Sequence, residues 1–184
     1  MAIEFDGLSR AAADTLRRFS TAGVPLTRDP AHEPNAAQFG PLDPTSLFPN
    51  ARDPLAAVSG LWLILGCWQR SHEISQNIDS REGSYWHAIA HRIEPDTPNA
   101  GYWFRRVSEH PIFPELHTRA AAILDAHENL GWRLGERWDP QQFLEWCDDA
   151  RQGKSSEAIT AAAEIQDTEC NLLLHWCAAP PLIR

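Results

Sequence analysis

Apolar residues recur at helical spacing along most of this chain, and no segment sustains the period-two alternation of a half-buried strand. Residues 8–20 form a short helix rich in alanine and arginine. Residues 24–54 then hold seven prolines, which break any continuous helix and deprive a strand of N–H donors. This stretch reads as an extended arm laid over the surface, because a flexible linker is richer in Gly and Ser. Asp53-Pro54 is an N-cap followed by proline at the first helical position, and it opens a second helix running to about residue 78. Ser84 caps a third over 85–94, which stops at Pro95. Pro98 or Asn99 opens a fourth to about residue 109, ahead of His110-Pro111. Pro114 starts a fifth that ends near Gly131, and Asp139-Pro140 starts a sixth to about residue 152. Ser155 or Ser156 starts the last, which ends before Pro180-Pro181. The expected fold class is all-α: a compact single-domain bundle of about seven helices. Residues 1–22 would be its N-terminal helix, 23–54 a proline-rich extended arm and 55–184 the helical core.

Polar side chains interrupt the apolar stripes. Val58, Leu61, Leu65 and Trp68 form a stripe on the second helix that His72 and Gln76 continue. On the third, His87, His91 and Glu94 share one face, and Trp86, Ile89, Ala90 and Ile93 cover an adjacent one. His127 falls within the Leu116, Ile123, Leu130 stripe of the fifth helix. Glu169 falls within the stripe of the last, among Ile165, Leu172, Leu173 and Trp176. The pairs His72/Gln76 and His87/His91 are spaced i, i+4, so each lies on one helix face. With residues 79–84 as a turn, antiparallel helices set His72 level with His91 and Gln76 level with His87. A buried carboxylate without a partner is costly, so Glu169 requires a histidine, an arginine or a metal ion. The simplest packing gathers these inward polar groups in one place.

Two imidazoles on one side of a helix can share one ion. The expected metal ligands are His72, His87, His91 and Glu169, with Glu94 or His127 as replacements for the last, and a divalent metal ion is the candidate cofactor. Three ligands and an open position would suit a metal-activated water. Without a metal, a histidine oriented by Glu169 can serve as general base, which makes His72, His91 and Glu169 the candidate catalytic residues. Arg92, Arg105 and Arg106 form a local basic patch that can hold a carboxylate or phosphate. With Gln76, Tyr102 and His127 they are the candidate ligand-binding residues. The structural alternative for the patch is salt bridging to Glu94, Asp96 or Glu109. No Glu-x-x-His occurs, which counts against a carboxylate-bridged iron pair, and no glycine-rich phosphate loop is present.

A formal charge of -9 argues against nucleic acid and against an anionic membrane surface as partners. Glu4 and Asp6 stand where a secretory signal would be basic, and the longest apolar run, 61–67, is too short to span a bilayer. Cys67, Cys147, Cys170 and Cys177 make no Cys-x-x-Cys pair and read as buried thiols of a cytoplasmic protein. Among eight tryptophans, Trp62, Trp68, Trp86, Trp103 and Trp176 lie on or beside apolar stripes, while Trp132 and Trp138 flank a loop and can wall a pocket.

The run Ser-Tyr-Trp-His-Ala-Ile-Ala-His-Arg-Ile-Glu-Pro-Asp from Ser84 to Asp96 resembles the signature of an uncharacterised family of bacterial all-helical proteins. So do Asn-Ala-Gly-Tyr-Trp-Phe-Arg-Arg-Val from Asn99 to Val107, His110-Pro111, Trp138-Asp139-Pro140 and the helix bearing Ile165, Gln166 and Glu169. The resemblance spans about half of the chain, marks residues 84–111 as its core, and brings no activity and no catalytic residues with it. The residues themselves point to a buried His/Glu pocket for a small polar or anionic molecule, with a divalent metal ion as its candidate cofactor. The alternative is a non-catalytic interaction module in which the histidines are structural, and the arm or a tryptophan face meets another protein or a second copy of the chain.

Overall fold

Asp53 opens a central helix against which several others pack. In the computed structural model, which describes residues 9–19, 23–127, 130–153 and 155–181, its carboxylate accepts the Ala56 N–H at 3.0 Å. Pro54 follows at the first helical position. The elements in order are α1 (Arg10–Phe19), a 3-10 turn (Ala36–Phe39), α2 (Pro44–Leu47), α3 (Pro54–Ile64) and α4 (Trp68–Ser75). After them come α5 (Arg81–Ile93), α6 (Thr97–Val107), α7 (Phe113–Asp125), α8 (Pro140–Gly153) and α9 (Ser156–Ala178). Among the described residues the protein is all-α, with nine α-helices rather than about seven.

The extra count has identifiable causes. The helix expected over 54–78 is broken at Gly66, whose φ of 80° lies in the left-handed region. Gly66 N–H donates to the Leu63 carbonyl at 3.0 Å and Cys67 N–H to the Trp62 carbonyl at 2.9 Å. This paired closure is how a glycine ends a helix while satisfying its last carbonyls. α5 begins one turn earlier than expected, because Ser80 rather than Ser84 caps it, accepting from Gly83 N at 3.0 Å. α6 is capped by Asp96, and α7 ends at Asp125, short of Gly131. The predicted arm contains the 3-10 turn and α2, and is not extended throughout. It is sewn down by polar contacts: Gln166 Nε2 donates to the Pro25 carbonyl at 2.7 Å, Arg151 to the Leu26 carbonyl at 3.1 Å, and Arg28 N to the Ile93 carbonyl at 2.8 Å.

α3 is buried from Ala56 to Ile64 and lies against α2, α4, α5 and α9. A Cβ on Gly60 would come within 2.2 Å of the Trp86 ring, so the glycine lets α5 approach closely. All four cysteines are free and buried.

α5 is joined to α9 by a fully buried ion pair between Arg92 and Glu169. Tyr85 Oη donates to Glu169 at 2.7 Å, and Arg92 Nε donates to Gln166 at 3.0 Å. The Arg92 guanidinium lies 4.7 Å from the centre of the Phe143 ring. Burial, and then the Glu169 charge, push the Tyr85 phenol well above its usual range, so it stays a donor. Breaking such a pair by removing one member leaves an uncompensated charge, which typically costs about 3–5 kcal/mol. Arg92→Met should therefore destabilise the protein by about that amount in urea unfolding, and adding Glu169→Leu should restore most of it. An Arg92→Met protein as stable as the wild type would show that the pair does not fasten α5 to α9.

Candidate metal centre

α4 and α5 meet through histidine. Trp68 Nε1 donates to the Ala90 carbonyl at 2.8 Å and seats the start of α4 on α5. Ser59 of α3 donates to the Ser71 carbonyl at 3.0 Å and holds α4 from behind. One turn on, the His72 ring lies 4.5 Å from that of His87 and 5.1 Å from that of His91, centre to centre. A nitrogen from each of the three rings falls within 4.8 Å of the others. Trp68 stacks on His72 at 4.6 Å, and Trp103 of α6 meets the His87 ring at 4.5 Å, so indoles flank the cluster. His87 and His91 are buried, and His72 is partly exposed.

Proton accounting limits how this cluster can be satisfied. Ser75 Oγ donates to the Ser71 carbonyl at 2.8 Å, so it accepts from His87 Nδ1, 3.2 Å away. His87 Nε2 then carries a lone pair, and His91 Nε2 sits 3.1 Å from it. On its other side, His91 Nδ1 faces Glu94 at 3.5 Å and Asp96 at 3.7 Å and has no hydrogen-bond partner. A neutral imidazole has a single N–H. Placed on Nε2, it leaves a lone pair pointing at two carboxylates. Placed on Nδ1, it sets two lone pairs against each other. A second proton on His91, or a metal ion between the rings, removes the conflict. With metal–nitrogen bonds of about 2.0–2.1 Å, two nitrogens on a tetrahedral ion stand roughly 3.3 Å apart, close to the spacing seen between His87 and His91.

The electrostatics suit ligands rather than charged groups. Burial, followed by the charges of His72 and His91, holds His87 down to about 3. Burial, followed by the His91 charge, also lowers His72. Metal binding requires neutral imidazole, and both rings remain neutral below the usual histidine range.

The expected site residues separate into two groups. His72, His87 and His91 converge, and Glu94 stands beside His91. Glu169 does not join them. Tyr85 and Arg92 lie on a different side of α5 from His87 and His91, and that side faces α9, so Glu169 pairs with Arg92 instead. This also corrects the expected basic patch, since the Arg92 guanidinium is enclosed in the core. Arg106 pairs with Asp79 at 3.2 Å and lies over Trp103, and Arg105 is exposed on α6. Tyr102, 48% exposed, meets Trp103 edge-on at 5.3 Å. Gln76 is exposed at the end of α4, and Ser75 takes the place expected for it opposite His87. His127 lies apart, 3.1 Å from Glu164 of α9. Trp132 stacks on Trp146 at 4.5 Å and lines a hollow of about 770 Å³ with His127, away from the three histidines; Trp138 is buried.

Sequence reasoning missed Ser75, Asp96 and Arg28. Ser75 was legible as i+3 from His72. Asp96 follows a helix end that only the turn at Pro95 folds back, with Asp96 N donating to the His91 carbonyl at 2.9 Å. Arg28 arrives from the arm, 3.7 Å from Glu94 and 3.9 Å above the Trp68 ring.

No family model, curated protein or solved structure matches this chain, so the geometry alone carries the functional argument. No helix among the described residues is long and apolar enough to cross a membrane.

The depressed histidines set the sign of a pH effect. Between about 6.5 and 3 the unfolded chain takes up a proton that folded His87 refuses, so stability falls as pH drops through that window. The thermal midpoint of the metal-free protein should decline from pH 7 to pH 5. His87→Gln should flatten that decline, and an unchanged slope in the variant would contradict the assignment.

Proposed function

We propose that this protein binds a divalent first-row transition metal ion through His72, His87 and His91 and uses it to hold a small polar or anionic ligand. The observation that carries this reading is the convergence of three imidazole nitrogens within 4.8 Å, two of them contributed by one helix turn of α5, with His91 Nδ1 left without a hydrogen-bond partner. Three histidines with an open position are the donor set of a catalytic rather than a structural zinc site. The bound ion would supply Lewis acidity and lower the pKa of a coordinated water. His72 is the most exposed of the three, so the α4 side is where a ligand would reach the ion. Trp68 and Trp103 would keep the surroundings apolar and strengthen electrostatic contact at the ion.

The test is metal analysis of protein purified without chelator, followed by calorimetric titration with zinc, nickel, manganese and iron(II). Metal should bind and raise the thermal midpoint. His87→Ala should weaken it by more than the roughly 10–100-fold that loss of an outer-shell partner causes. Because His72 and His87 resist protonation, affinity should fall less between pH 7.5 and 6 than for an exposed histidine site. No bound metal and no stabilisation by any of the four ions would overturn the proposal. The histidines would then be structural groups of an interaction module.

A further inference from the structure

We infer that His91 is shared between two cation sites, its Nε2 turned to the inner centre and its Nδ1 to an outer one completed by Glu94 and Asp96. The inference rests on the proposed inner centre, because both ions use the same ring. His91 has a side chain 10% exposed, and its Nδ1 is buried with no hydrogen-bond partner. The nearest carboxylate oxygens lie at 3.5 Å on Glu94 and 3.7 Å on Asp96. These separations are too long for a good N–H···O bond. They lie close to the roughly 3.0–3.4 Å edge that ligands with bonds of about 2.1 Å span around one ion. A nitrogen and an oxygen from each carboxylate fall within 4.8 Å of one another.

The remaining contacts leave the required lone pairs available. Arg28 approaches Glu94 through Oε1 at 3.7 Å, while Oε2 is the oxygen facing His91. Asp96 Oδ1 accepts the Asn99 N–H at 3.4 Å, as the cap of α6. Oδ2 accepts Asn99 Nδ2 at 2.6 Å and keeps a second lone pair for an ion. Two carboxylates against one guanidinium leave the spot negative. The Glu94 and Asp96 side chains are 39% and 35% exposed, so an outer ion keeps open positions toward solvent. The one-nitrogen, two-oxygen donor set fits zinc or manganese better than a soft ion. When both sites fill, His91 releases its remaining ring proton to solvent and gives one lone pair to each ion. The outer ion, beside Arg28, is then where a small anion such as a carboxylate or phosphate lands.

The experiment counts ions. Chelator-stripped, desalted full-length protein is titrated with zinc, and the retained metal per chain is measured. Two ions should bind in two steps. The Glu94→Gln/Asp96→Asn variant should hold one, with the tighter step unchanged, and asparagine at 96 keeps the helix cap. His91→Ala should abolish the weaker step. In the copper(II)-loaded protein, coupling through the shared ring should depress the integrated paramagnetic signal below that of two isolated ions, and the double variant should lose this coupling. One ion in the wild type, weakened about 10–100-fold in the double variant, would show that the carboxylates only orient a protonated His91. That result overturns the outer site and leaves the inner one standing. Two ions in both proteins would place the second elsewhere and also overturn it. No ion in either would remove both proposals.

Discussion

A helix buried along its length has no solvent side on which to leave a polar group. α5 is such a helix, enclosed from Gly83 to Ile93, and it carries a tyrosine, two histidines and an arginine inside that span. Successive residues turn by about 100°, so His87 and His91 cannot share a direction with Tyr85 and Arg92. Each direction must find its own partners. The α9 side offers Glu169 and Gln166, and they take Arg92 and Tyr85. The α4 side offers Ser75 and another histidine to His87. One face is thereby neutralised within the protein, and the other gathers three histidines that could hold a metal ion.

The arm belongs to this arrangement rather than to the periphery. Its prolines prevent it from becoming a further long helix, and its main-chain carbonyls are taken by Gln166 and Arg151. Arg28, fixed by Glu33 at 2.9 Å, is thereby held against Trp68 and Glu94. The arm also walls a hollow of about 560 Å³ with Leu63, Leu65 and Trp68, whose lining includes none of the three clustered histidines. Trp68 borders both: it packs on His72, anchors to Ala90 and lines the hollow. The same residues therefore close the core over α5 and shape the edge of the candidate centre.

Several helix starts were legible from the side chains that cap them, although Ser80 and Asp96, which cap α5 and α6, were not read as caps. Asp53-Pro54, Asp139-Pro140 and Ser155 open helices in the places their cap chemistry indicates. Gly66 carried an equally clear signal and was passed over, because the apolar stripe continues across it from Leu65 to Trp68. Periodicity shows which residues share a face, but an uninterrupted stripe does not show that the backbone under it is uninterrupted. The side chain that meets His87 is Ser75 rather than Gln76.

The sequence by itself determined the class of the fold and the pairing of His87 with His91, because these follow from helical spacing and composition. It also determined that Glu169 must have a partner, since burial makes an isolated carboxylate untenable. It could not say which partner. Arg92 and the histidines were equally near in sequence, and only the packing of α5 between α4 and α9 divided them. The approach of Asp96 to His91 and of Arg28 to Glu94 likewise depends on a turn and on a segment more than sixty residues away along the chain. Local spacing constrains a face, whereas the choice among compatible charges is made by the neighbours that the tertiary structure brings to that face.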